Sequence, residues 1–277
     1  MDQPTSPPPS QPQYQAPSQP QLAGRATGAA RQVAIEIVDQ TGSTNADLLA
    51  RASSLTGPVL LLARSQTAGR GRAGRPWQSA PGASLTFSLA WKFERTLPQL
   101  VGLPLAVGVA IADALHGCGV DARLKWPNDV LLDERKLAGI LIETAAARDG
   151  IWAIIGIGIN LAVPQDLAER IGSPAAGLPP LAAAPDDLLA ALLNTLAQAL
   201  AEFAIAGLAP FTPRWNALHA WTGQQVAVLD HGQARQQGAA IGIDDSGRLL
   251  IDSAEGRVAV LSGDVTLRRT GASPCCS

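Results

Sequence analysis

The sequence predicts an α+β fold, a mixed and mainly antiparallel sheet with packed helices, followed by a small β-barrel. Three observations carry this expectation. Between Val33 and Ile159, short runs with strand character are interrupted by only two helical stretches. Asp186 to Phe203 is a long Ala/Leu run at helical spacing. After Gly223 helical patterning stops, and five short strand-like runs follow, separated by turns rich in Gly.

With 277 residues, 47% of them hydrophobic, the chain can bury one large core and a smaller one. It divides into a Pro/Gln-rich tail (1–30), a large domain (31–222), a small domain (223–270) and a short tail (271–277). The first tail has few large aliphatic residues to offset its ordering entropy and is expected to be disordered. A formal net charge of -2 gives no global basic field, so any polyanion contact has to be local. The three cysteines, Cys118 and the adjacent Cys275 and Cys276, form no disulfide framework and fit a reducing cytoplasm. No run of 18 or more apolar residues and no charged-then-apolar start is present, so neither a membrane span nor secretion is expected.

In chain order, Val33 to Val38 alternates as a strand, and Ser43-Thr44-Asn45 supplies caps for a helix running to Leu55. Pro58 to Ala63 reads as a buried strand and Ser84 to Trp91 as an alternating one. Gln99 to Leu115 is helical in spacing, with Pro104 tolerable in a first turn. Four strand-like segments follow, 123–125, 129–132, 136–144 and 151–159, joined by turns that suit antiparallel pairing. Residues 164–185 are loop-rich; the long helix comes next, then a second helical segment through Trp215 to Trp221. Strands at 226–229, 239–243, 249–251, 258–261 and 265–267 complete a barrel of SH3-like size.

The chemistry concentrates in a few motifs. Between Arg64 and Lys92 there is no acidic residue, and that stretch contains Gly69-Arg70-Gly71-Arg72-Ala73-Gly74-Arg75-Pro76-Trp77. Guanidinium groups this close repel unless an anion lies between them, and the glycines permit close backbone approach to one. The Gly69-x-Gly71-x-x-Gly74 spacing matches a dinucleotide-binding pattern, but a strand rather than a helix follows it. A P-loop also fails, since Arg75-Pro76 stands where Lys-Ser or Lys-Thr belongs. Lys125-Trp126-Pro127-Asn128-Asp129 presents a rigidified amide and carboxylate, and Arg135-Lys136-Leu137-Ala138-Gly139 adds a lysine and a close-approach glycine. Each alone could be a turn. In Ile155-Gly156-Ile157-Gly158-Ile159-Asn160 the glycines strip side chains from one strand face, leaving room for close packing or for a flat ligand.

Taken in order, Gly-Ser43-Thr44-Asn45, Gln66-Thr67-Ala68-Gly69-Arg70-Gly71-Arg72, Lys-Trp-Pro-Asn128-Asp129, Arg-Lys136-Leu-Ala-Gly139-Ile and Gly156-Ile-Gly-Ile159-Asn160 resemble the biotin protein ligases, the biotin acetyl-CoA-carboxylase ligases. The likeness runs from about Val38 to Arg268. It implies a class II synthetase-like catalytic domain with an SH3-like C-terminal domain, the substrates biotin and ATP with Mg2+, and a biotin carboxyl carrier protein as partner. Ser43, Thr44, Asn45, Gln66, Arg70, Gly71, Arg72, Lys136, Gly139, Gly156 and Ile159 match biotin-contacting positions. Arg70, Arg72, Arg75, Trp77, Asn128, Asp129, Lys136 and Asn160 match positions near ATP or the adenylate, and Arg268 a late C-terminal one. Arg72, Lys136 and Asp129 are the catalytic candidates; no metal ligand is assigned. Ala73 departs from an arginine common at its place, and only the Pro-rich tail precedes the match, so a winged helix and DNA regulation are not expected. A cytoplasmic monomer or homodimer is expected.

The implied chemistry needs these residue types. Biotin's carboxylate is ionised at neutral pH, so activation by ATP brings anion to anion, and arginines and lysine offset that charge. A carrier lysine must then attack as the free amine, whose formation at pH 7 costs about 4.6 kcal/mol. Asp129 is assigned first to orientation and second to base duty, because an ordinary carboxylate is a weak base. Two alternatives share parts of the pattern: a lipoate or octanoyl transferase of the same fold, and a noncatalytic nucleotide-binding module.

Overall fold

The computed structural model describes residues 18–180, 185–230, 233–261 and 265–270. The large domain is built on a seven-stranded sheet. Its strands are β1 (Ala34–Thr41), β2 (Val59–Gln66), β3 (Ser84–Phe93), β4 (Arg123–Lys125), β5 (Asp129–Leu132), β6 (Arg135–Ala147) and β7 (Gly150–Asn160). They lie in the order β1-β2-β3-β7-β6-β5-β4. Only β1 and β2 run parallel; the remaining pairs are antiparallel, as the short turns after Leu124 predict.

Strand alternation gives the sheet two different faces. Leu60, Leu62, Phe87, Leu89, Ile155, Ile157 and Ile159 point into the main core. Against that core pack α3 (Leu103–Gly117) and α5 (Pro185–Ala206). On the opposite face, α2 (Thr44–Ala50) buries Leu48 against Leu61, Ala90 and Ile154. That face also carries the polar and glycine positions Ser88, Gly156 and Gly158, and it becomes the site.

Two stretches, Leu97–Gly117 and Asp187–Ala206, are long and apolar enough to cross a membrane by length and composition, with mean hydropathy 1.7 and 1.6. The sequence expectation counted uninterrupted apolar runs and passed over both. Each has more than half of its apolar window buried inside the protein, as core helices do.

The expected tail differs from the structure. Gln19–Gly24 forms α1 and Gly28–Gln32 a 3-10 turn, and Leu22, Ala26 and Ala30 are buried. Asn194 of α5 accepts from the Thr27 N–H (2.8 Å) and donates to the Arg25 carbonyl (3.1 Å), while Arg25 pairs with Asp187 at 2.6 Å. A single leucine among Gln, Pro, Ala and Gly gave a weak sequence signal, yet the helix α5 supplies the missing apolar partner. Residues 1–17 of this tail, and the C-terminal tail 271–277 with Cys275 and Cys276, lie outside the described residues.

Residues 164–185 also hold more order than expected. α4 (Gln165–Ile171) begins after Pro164 and ends at Gly172 in the left-handed conformation. Seven residues are too few to show a helical period in sequence. α6 (Thr212–Leu218) leads into the small domain, whose strands β8 (Gln225–Asp230), β9 (Gln233–Ile243), β10 (Leu249–Ser253), β11 (Gly256–Val260) and β12 (Val265–Arg269) form one antiparallel sheet, β11-β10-β9-β8-β12. It is fastened to the large domain by specific bonds. The Trp126 indole donates to the Gly247 carbonyl (3.1 Å), and the Asn216 amide bonds both the N–H (2.7 Å) and the carbonyl (3.2 Å) of Ile243.

Candidate active site

A cavity of ≈ 430 Å³ lies on the α2 face of the sheet, under the arginine-glycine loop. The loop leaves β2 at Gln66 and folds back on itself. The Trp77 N–H donates to the Gly69 carbonyl (2.9 Å) and the Gly71 N–H to the Arg75 carbonyl (2.7 Å), making a narrow hairpin. A Cβ at Gly69 would stand 2.8 Å from the Trp77 carbonyl oxygen, so glycine is required at the neck. At the tip Ala73 is left-handed (φ 52), a conformation costing about 1–2 kcal/mol for a residue with a Cβ. Arg72 at the tip reaches down to Asn128, Nη1 to Oδ1 3.1 Å, so the hairpin is folded over the cavity.

One end of the cavity is polar and neutral. Ser43 caps α2 by accepting from the Ala46 N–H at 3.5 Å, which places Thr44 and Asn45 at the helix start, pointing at the sheet. The Thr44 N–H donates to Gln66 Oε1 (2.8 Å), Thr44 Oγ1 lies 2.6 Å from Ser88 Oγ, and Ser88 donates to Asn45 Oδ1 (2.6 Å). The floor is formed by Gly139 and Gly158, which face each other across the β6–β7 ladder, with Gly156 beside them. This bare face is covered by side chains: a Cβ at Gly158 would overlap the Trp77 indole, and one at Gly156 the Asn45 amide. Close packing therefore accounts for both glycines, and the indole forms one wall of the cavity.

The other end is cationic. Asp129 bridges two lysines, Oδ1 to Lys136 Nζ at 2.6 Å and Oδ2 to Lys125 Nζ at 3.3 Å. Arg72, on Asn128, and, from β12 of the small domain, Arg268, whose charge acts on Lys125, stand at the same end, and Arg75 also lines the cavity. Burial pushes the Asp129 carboxyl up, but the charges of Lys136 and Lys125 outweigh it and hold the group below the usual carboxylate range. Lys125 is lowered too, which in a lysine disfavours the charged form: burial lowers it, opposed by Asp129 and reinforced by Lys136 and Arg268. Asp129 is thus ionised at neutral pH and spent on positioning two ammonium groups. Asn160 donates to the Lys136 carbonyl (3.2 Å), which fixes the start of β6.

Residues 36–160 match the biotin/lipoate A/B protein ligase family and residues 222–268 the biotin protein ligase C terminal domain. The biotin--[acetyl-CoA-carboxylase] ligase of Paracoccus denitrificans is 36% identical over 239 residues, covering 82% of this chain and 97% of that protein. The chain belongs to the biotin protein ligases. The bifunctional ligase/repressor BirA of Escherichia coli is 35% identical over 252 residues, 90% of this chain and 77% of that one. Among solved structures, the biotin protein ligase of Aquifex aeolicus in complex with biotin and ATP aligns with a TM-score of 0.68 at 28% identity, covering 86% of this chain and 99% of that chain.

Of the site residues expected from this ligase's sequence, all but one line the cavity. The exception is Ile159. It is fully buried in the main core, because its place on β7 is one residue out of step with Gly156, Gly158 and Asn160, and alternation turns it to the sheet's other face. Three contributors escaped the sequence reading. Ser88 was legible as a polar residue recurring with Thr86 inside an apolar strand. Lys125 stood in the quoted motif without a role. Glu143, which takes Asn45 Nδ2 at 2.9 Å and Arg70 Nη2 at 3.0 Å on a single oxygen, left no sequence signal at all.

Proposed function

We propose that the chain activates biotin with ATP to biotinyl-5′-AMP, releasing pyrophosphate, and then transfers biotin to a lysine of a biotin carboxyl carrier domain. The observation that carries this is the polarity of this cavity: a neutral hydrogen-bonding end beside Thr44, Ser88 and Asn45 and a cationic end beside Arg72, Lys136 and Arg268, roofed by the arginine-glycine loop. A neutral ring system bearing amide-like groups suits the first end. An acyl phosphate suits the second.

In the first step a biotin carboxylate oxygen attacks the α-phosphorus and pyrophosphate leaves. Lys136, held by Asp129, and Arg72, held by Asn128, are positioned before substrate arrives, so charge developing on phosphate meets fixed donors. In the second step the carrier's amine attacks the acyl carbon and AMP leaves. Asp129 is a poor base for that amine because its two lysines hold its acidity high, which leaves it the positioning role. The folded loop excludes water from a mixed anhydride that water would otherwise destroy.

Mg2+ fits this site as part of the nucleotide. No group of three or more His, Cys, Asp or Glu side chains able to hold a metal occurs among the described residues, and Asp129 is the one carboxylate lining the cavity. Both Asp129 oxygens are taken by Lys136 and Lys125 and Asn128 Oδ1 by Arg72, so Mg2+ would enter held chiefly by the substrate phosphates, and Asp129 would face it only on letting go of a lysine. When bound with ATP, it neutralises phosphate charge.

Incubating the pure chain with biotin, ATP, Mg2+ and a carrier domain, then weighing the carrier by mass spectrometry, tests the proposal. A gain of one biotinyl group is expected. An unmodified carrier together with no biotin-dependent pyrophosphate release overturns it. The family model over residues 36–160 covers biotin and lipoate ligases alike, but the relatives named above are biotin ligases, which favours biotin over lipoate transfer and over a noncatalytic module. A cytoplasmic location fits a reduced Cys118 and an intracellular carrier.

A further inference from the structure

We propose that Glu143 is a positioning residue that anchors the base of the arginine loop to the sheet through Arg70, so that loop closure is tied to the hydrogen-bonded chain at the polar end of the cavity. Glu143 lies on β6, on the same face as Gly139 and Leu141, and its Oε2 accepts both Arg70 Nη2 (3.0 Å) and Asn45 Nδ2 (2.9 Å). Asn45 cannot swing away. It is 3% exposed, its Oδ1 takes the Ser88 hydroxyl, its Nδ2 also reaches the Leu141 carbonyl (3.3 Å), and its amide fills the space over Gly156.

Proton counting gives the chain a direction. Each hydroxyl has one proton: Ser88 spends its own on Asn45 Oδ1, so at the 2.6 Å contact Thr44 donates to Ser88 rather than to Gln66 Oε1, 3.1 Å away, which takes the Thr44 N–H instead. The chain then ends on the Glu143 carboxylate, where Arg70 meets it. A half-exposed arginine paired with an exposed carboxylate would contribute little. Here the carboxylate side chain is 26% exposed and held by a buried amide, so the pair is geometrically fixed.

The consequence is a division of labour that the sequence does not show. Arg70 is occupied by Glu143 and anchors the loop; Arg72, two residues on at the tip, reaches the nucleotide end and closes it. The sequence expectation had both arginines sharing the substrate's charge.

This inference rests on the ligase reading. The test is the release of preformed biotinyl-adenylate, made with radiolabelled biotin, from wild type, Glu143→Gln, Arg70→Gln and the double variant. Replacing a charge-assisted bond by a neutral one is expected to speed release about fivefold in each single variant. The double variant is expected to release no faster than the faster single, because both act through one contact. The rise in release should exceed any fall in kcat for pyrophosphate exchange, which a general loss of structure would not produce. Release unchanged in Glu143→Gln, or multiplying effects in the double variant, overturns the inference. Should Glu143→Gln fail to fold, Arg70→Gln alone, with added salt speeding release in wild type but not in the variant, decides it. Wild type that forms no adenylate fails the ligase reading instead, so the two failures are distinct.

Discussion

Asp129 Oδ1 lies 2.6 Å from Lys136 Nζ while its other oxygen holds Lys125, so a single carboxylate keeps two ammonium groups apart at the mouth of the nucleotide end. Replacing it by an isosteric amide removes the charge and leaves both lysines. Asp129→Asn is expected to cost about 3–5 kcal/mol, the penalty for stranding a buried charge, and to lower pyrophosphate exchange. Urea midpoints and isotope exchange measure the two effects. A pH prediction accompanies it. The folded-state carboxyl is depressed, so its contribution is fully present above the ordinary value of 3.8 and is lost only as pH falls through the lower folded value. Between about pH 5 and 8 transfer to the carrier, the second half-reaction, is expected to show no limb from Asp129; a limb that Asp129→Asn abolishes would assign it base duty after all.

Arg72 and Lys136 both reach the nucleotide end, but their loss is expected to show differently, in retention of the intermediate for one and in its formation for the other. Arg72 hydrogen-bonds Asn128 from the loop tip, whereas Lys136 sits on the sheet with its backbone N–H bonded to the Pro174 carbonyl (3.1 Å). Arg72→Gly is expected to release biotinyl-adenylate faster, since the roof loses its tie. Lys136→Ala is expected to cut formation of that intermediate by about 10²-fold, the loss typical of one preorganised donor. Radiolabelled biotin followed through a rapid spin column separates release from formation. Equal retention in Arg72→Gly and wild type would remove the gating role.

Gly156 and Gly158 give a steric test of the cavity floor. A methyl group at Gly156 would overlap the Asn45 amide, which already has its bonds to Ser88, Leu141 and Glu143. Gly156→Ala is expected to raise the KM for biotin at least about tenfold and to lower stability by about 1–3 kcal/mol, the range for overpacking. Gly156→Ala with an unaltered biotin KM would place the vitamin elsewhere.

Much of this was readable in the chain because local chemistry dictated it. The neck of the loop needs glycine, the Ser43 cap sets the start of α2, and strands joined by tight turns have to pair antiparallel. What was not readable depends on distance in sequence. Glu143 and Arg70 lie 73 positions apart, and nothing near either residue announces the other. Leu22 looked like a lone leucine in a disordered tail until α5 offered it a surface. Ile159 failed for a different reason: a motif match carries residues over as a block, whereas a strand sends alternate members of that block to opposite faces.

His219 supplies a prediction about stability away from the chemistry. It is buried where α6 turns into the small domain, its ring lies 4.8 Å from that of Trp215, and neither ring nitrogen has a hydrogen-bond partner among the described residues. Burial lowers its pKa from 6.5 to about 4. In this range the unfolded chain binds the proton more readily than the folded one, so stability is full above about pH 6.5 and falls as pH drops toward 4. Between about pH 7.5 and 4.5 that linkage amounts to about 2.5 kcal/mol, taking roughly 1.36 kcal/mol per unit. His219→Phe keeps an aromatic ring beside Trp215 and removes both unpaired nitrogens, so it is expected to be neutral or stabilising at pH 7.5. Denaturant midpoints at the two pH values, compared between wild type and variant, cancel the contribution of all other titrating groups. A difference near zero would mean that His219 reaches water in the folded protein, and that the small domain opens from the catalytic domain more freely than the Trp126–Gly247 and Asn216–Ile243 bonds allow.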